Sequence, residues 1–105
     1  MKYCMIIVTC PSEAQAQDLA SGIIEKRLAA CVQLSPITSF YVWKGKVHKD
    51  PEIRLTIKTR SELYDPLEKF IVTCHGYEVP QIIQVPIEKG LPAYLEWIAQ
   101  TTGGL

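Results

Sequence analysis

The spacing of apolar residues along this chain switches between two and about 3.6, and that switching restricts the fold more than any other feature. Tyr3 to Cys10 is an apolar, β-branched run closed by Pro11, which predicts a strand partly buried on both faces. Ser12 and Gln15 form an S-x-x-Q capping box, and Leu19, Ala20, Ile23, Ile24 and Leu28 recur at helical spacing through Lys26 and Arg27, so a helix follows. Ala30 to Leu34 returns to extended character, Ser35-Pro36 interrupts it, and Ile37 to Val47 resumes as an aromatic-rich strand. The pattern reads as one long, bent strand with a bulge or an edge at the proline. Gly45 between two lysines and the polar stretch His48-Lys49-Asp50-Pro51 mark the hairpin region. Ile53, Leu55 and Ile57 then alternate with Arg54, Thr56 and Lys58 as the returning strand.

A second helix, capped by Ser61 or restarted at Asp65 with Pro66 in its first turn, presents Leu63, Leu67, Phe70, Ile71 and Cys74 inward and stops at Gly76. Gln81 to Val85, bracketed by Pro80 and Pro86, predicts a last strand. A short helix from about Pro92 is expected to bury Tyr94, Leu95, Trp97 and Ile98 before the chain frays at Gly103-Gly104. The order β-α-β-β-α-β-α is that of an α+β, ferredoxin-like fold, a four-stranded antiparallel sheet with two helices on one face and an extra C-terminal helix. Residues 1–105 read as a single domain with a modest core.

That arrangement leaves the second sheet face open, and strands 3–10 and 37–47 carry apolar or aromatic residues on both sides. An apolar face of this kind predicts self-association, with the far end of the long hairpin packing on another copy. Eleven basic residues balance eleven acidic ones, so no basic stripe is available for nucleic acid. The apolar start Met5-Ile6-Ile7-Val8 is too short for a signal peptide and no segment is expected to span a membrane. Cysteines at 4, 10, 31 and 74 make no C-x-x-C pair, which predicts reduced, mostly buried thiols in a cytoplasmic protein. There is no G-x-S-x-G elbow, H-E-x-x-H helix, Walker loop or dinucleotide fingerprint, so enzymatic activity is not expected.

The segments Arg27-Leu28-Ala29-Ala30-Cys31-Val32, Ser39 to Val47, Ile57-Lys58-Thr59, His75 to Ile83 and Tyr94-Leu95-Glu96-Trp97-Ile98 together resemble the CutA divalent-cation tolerance family, in the right order and over nearly the whole chain. The resemblance implies a homotrimer, similar in architecture to the PII signalling proteins, with a role in tolerance to copper and other divalent cations. It also implies a copper or other divalent metal ion held by cysteine and histidine. Cys31 matches the family's Ala-Ala-Cys cysteine and His75 matches the histidine before its Tyr-x-x-Pro segment. Two positions depart. A family cysteine near the end of the first strand falls on Val8 here, with Cys10 two residues later on the same strand face, and an adjacent histidine of some members is Cys74.

Cys31, Cys74, Cys10 and His75 are the right ligand types for copper or zinc, since thiolate and imidazole outcompete carboxylate for such ions. The alternative for Cys31 is a packed core thiol, and for Cys74 and His75 a buried thiol beside a histidine that interacts with a helix C-terminus. Tyr41, Trp43, Glu52, Lys58 and Tyr77 form a second constellation whose aromatic groups and opposite charges can line a cleft between subunits, or can be interface packing alone. The two functional readings are a metal-binding tolerance trimer and a trimeric sensor or adaptor that takes a small anion or a partner segment at Lys58, Tyr77 and Trp43. A structural scaffold is the third.

Overall fold

The computed structural model describes residues 1–104. Its elements run β1 (Tyr3–Cys10), α1 (Glu13–Glu25), β2 (Cys31–Trp43), β3 (Lys46–Arg60), α2 (Tyr64–Cys74), β4 (Ile82–Ile87) and α3 (Pro92–Thr101), with one 3-10 turn, Ser61–Leu63, leading into α2. The sheet is antiparallel in the order β2-β3-β1-β4, the ferredoxin-like arrangement that the sequence predicts.

Register explains the layering, because alternate residues of a strand face opposite sides. Cys4, Ile6, Val8 and Cys10 of β1 lie beside Thr59, Ile57, Leu55 and Ile53 of β3. This face packs against Ala16, Leu19 and Ile23 of α1 and Leu67 and Ile71 of α2 to make the buried core. Burying such side chains contributes about 1.5–3 kcal/mol each. Helix α1 starts where the capping box places it, the Ser12 hydroxyl accepting the Gln15 amide at 3.3 Å. Helix α2 has no such cap: the chain passes from Arg60 through the 3-10 turn, and Leu63 stands at its N-cap without a side-chain bond. Cys74, the last residue of that helix, is exposed rather than inward.

The hairpin differs most from its sequence reading. Its turn is only Lys44-Gly45, both at positive φ (51° and 77°), the two-residue form that suits the right-handed twist of paired strands. His48 to Pro51 lie inside β3 instead of in a loop, so β2 and β3 pair without a break from Cys31–Lys58 to Trp43–Lys46. The prolines are tolerated by position: Pro36 is on edge strand β2, Pro86 on edge strand β4, and Pro51 lies beyond Cys10, where β3 has β2 as its sole neighbour. The hairpin therefore projects past the rest of the sheet and stretches the molecule to 46 × 25 × 21 Å.

On the opposite sheet face, Tyr3, Met5 and Ile7 lie beside Ile87, Val85 and Ile83. This face is open only in part. Arg60 projects from it and donates to the hydroxyl (2.7 Å) and carbonyl (2.8 Å) of Thr102, so the end of α3 covers its Arg60 edge. Helix α3 buries Ile98 and Ala99, whereas Tyr94 and Trp97 meet as tilted rings 5.6 Å apart and stay about 40% exposed (39% and 43%), contrary to expectation.

Candidate functional site

Two groups of side chains meet where β1 ends and the hairpin begins to project. Pro11 terminates β1, and alternation along the strand places Cys10 in the core face and Thr9 on the other. The segment after α2 returns to this point, and His75 fixes it there. Its Nε2–H donates to the Thr9 carbonyl (2.7 Å) and its Nδ1 accepts the Tyr77 amide (3.1 Å), which assigns a neutral ring with the proton on Nε2. The same Nε2 stands 3.8 Å from the Cys10 sulfur. Burial pushes the Cys10 thiol above its ordinary pKa, and the Glu52 carboxylate adds to the shift.

Cys10, Cys74 and His75 line one narrow crevice of about 20 Å³. Cys31 does not join them. It sits level with Lys58, five rows from the Cys10–Ile53 level and on the opposite sheet face, which is about 17 Å along the strands. Among the described residues no group of three or more histidines, cysteines and acids is arranged to hold a metal ion. Both ring nitrogens of His75 are engaged and Cys10 favours its thiol form, so these side chains do not fit a resident divalent ion. Val8, where the resemblance placed a family cysteine, is wholly buried in the core.

Next to the crevice, on the face of the hairpin that carries Thr9, a cleft of about 600 Å³ opens between the hairpin and residues 76–81. Four of the five residues of the second constellation line it: Tyr41, Trp43, Glu52 and Tyr77. Tyr77 donates from its hydroxyl to Glu52 (2.8 Å), and Tyr41 donates to Asp50 (2.6 Å) while stacking on His48. Partial burial and then the Glu52 carboxylate push the Tyr77 phenol well above its ordinary pKa; the Tyr41 phenol is raised mainly by its bond to Asp50. Lys58 lies elsewhere, six residues and about 20 Å along β3 from Glu52, and donates to Gln33. Sequence reasoning missed Glu78, Val79 and Gln81, which form the far wall. Their only signal was a short, proline-flanked connection carrying an aromatic and an acid, the kind of loop in which binding residues collect. The completed lining has two carboxylates and no basic side chain, which disfavours an anion.

The sequence profile of the CutA1 divalent ion tolerance proteins matches residues 4–101. The chain belongs to that family. Protein CutA of Mus musculus is 50% identical over 96 residues, covering 90% of this chain but 54% of the mouse protein, so the chain spans about half the length of that relative. The divalent-cation tolerance protein CutA of Thermus thermophilus is 39% identical over 100 residues, 94% of this chain and 97% of the relative. Among solved structures, the periplasmic divalent cation tolerance protein CutA from Archaeoglobus fulgidus superposes with a TM-score of 0.94 at 39% identity, covering 95% of this chain and 98% of that one. CutA1 from Oryza sativa gives 0.93 at 41% identity, over 96% and 94% of the two chains. The CutA1 fold therefore attaches to this chain.

Proposed function

We propose that this CutA1-family chain acts in divalent-cation tolerance as a non-enzymatic, cytoplasmic homotrimer for which copper or another divalent ion is cargo. The observation that carries the metal reading is the crevice that gathers Cys10, Cys74 and His75, with the Cys10 sulfur 3.8 Å from His75 Nε2. To bind there, Cys10 has to give up its proton and His75 has to release the Thr9 carbonyl, so the site favours transient loading. The cytoplasmic reading rests on four unpaired thiols.

The expected result of titrating the reduced protein with copper is saturable binding that survives Cys31→Ala and is lost in the double variant Cys10→Ala, His75→Ala. Binding that is unchanged in the double variant removes those residues from the site. Because the Cys10 pKa is raised, protons compete strongly near neutrality, and affinity should rise as pH increases toward and through the thiol's titration. An affinity independent of pH would exclude the thiolate as a ligand.

A second reading is favoured by the cleft of about 600 Å³, a size that takes a small organic ligand. In that reading the protein senses a small molecule, and metal tolerance is its downstream consequence.

A further inference from the structure

We infer that the hairpin cleft binds a small organic cation, an alkylammonium or guanidinium, between the aromatic groups of Trp43, Tyr41 and Tyr77 and the carboxylates of Glu52 and Glu78. The inference rests on the second reading, that the cleft is a ligand site, and adds the ligand's class. Three observations support it independently.

The first is charge. Two carboxylates and no basic group line the cleft, and Glu52 is half-buried. A carboxylate with restricted access to water gains more from a cation than an exposed one does. The second is orientation. Tyr77 donates to one oxygen of Glu52, which polarises the carboxylate and leaves its other oxygen to a second donor. The third is a tethered cation already at the rim. The Lys44 ammonium stands 5.8 Å from the centre of the Trp43 ring and 3.9 Å from Glu78, although both charged side chains are 72% exposed. The aromatic face and the acid thus accept a positive charge in the geometry of a cation–π contact. Lys44 is held loosely at the hairpin turn, and a free cation that reaches Glu52 as well gains contacts that Lys44 does not make.

The test is calorimetric titration of the full chain with benzyltrimethylammonium and with its uncharged relative benzyl alcohol. The expected result is saturable binding of the cation, at least about tenfold weaker binding of the alcohol, and a loss of about tenfold or more in Glu52→Gln. Lys44→Ala removes the tethered competitor on an exposed turn, and should tighten the cation's binding. Trp43→Leu should weaken it. Equal binding of the alcohol would overturn the cationic class while leaving the cleft a ligand site. No binding of either probe, in wild type and in Lys44→Ala, would overturn both readings. Unchanged affinity in Glu52→Gln, with the variant folded by circular dichroism, would also overturn the assignment.

Discussion

Arg60 is 8% exposed, and its guanidinium is satisfied on every nitrogen: Nε and Nη2 bond the hydroxyl and carbonyl of Thr102, distant in sequence, and Nη1 pairs with the nearby Glu62. Replacing Thr102 by Val keeps the shape but removes one acceptor from a buried cation. It should destabilise the protein by about 1–3 kcal/mol, read as a lower urea midpoint at unchanged slope. The phenols report at the other end of the pH scale. The Tyr64 pKa is pushed up to about 12, first by its hydrogen bond to Glu68 and then by partial burial and the nearby acids. A folded-state pKa above the unfolded one gives stability that is complete below the unfolded phenol's value of about 10 and is lost as pH rises through the folded value. Stability should therefore begin to fall near pH 10, and Tyr64→Phe should flatten part of that fall in denaturant titrations at alkaline pH.

The β2-β3 hairpin owes its length to a two-residue turn. Lys44 and Gly45 both take left-handed backbone angles, a conformation that disfavours lysine and favours glycine and asparagine. Lys44→Asn should therefore stabilise the hairpin by about 0.5–1 kcal/mol, because the exposed pairing with Glu78 that it gives up contributes little. Gly45→Ala should cost about 1–2 kcal/mol. Thermal midpoints, with amide exchange across the outer hairpin, would check both signs. The hairpin also has two unlike faces. Tyr41, Trp43 and Glu52 face the cleft, while Val42 and Val47 lie on the other side and are 68% and 80% exposed.

At the scale of the whole molecule, the projecting hairpin leaves Phe40, Val42 and Val47 mostly exposed, and contiguous exposed apolar side chains mark association surfaces. In the proposed homotrimer that surface is covered by another copy. Sedimentation of a dilution series should show a trimer for the wild type, and a carboxylate at Val47 should shift it toward monomer without loss of the subunit fold. A wild-type monomer at all concentrations would remove the assembly from the proposal. The partly exposed Tyr94 and Trp97 on α3 would then need a different cover.

Much of the fold was legible in the sequence because periodicity is a local property. Strand β1, the capped start of α1, the hairpin's alternation and the closing helix all follow from side chains a few residues apart, and the element order then leaves few topologies. The family segments were equally readable. What local pattern could not decide was which residues of distant elements share a face. His48 to Pro51 looked like a loop by composition, yet strand pairing with β2 holds them extended. Cys31 and Cys10 are alike as ligand types, but register sets them on opposite sides of the sheet, and Lys58 is carried away from Glu52 by six residues of rise. Tyr94 and Trp97 have the spacing of a buried helix face, and only packing shows that both rings stay about 40% exposed while Ile98 beside them is buried. The sequence determined the elements and their chemistry; the tertiary structure decided which chemistries meet, because strand register and the path of residues 75–81 depend on contacts far apart along the chain.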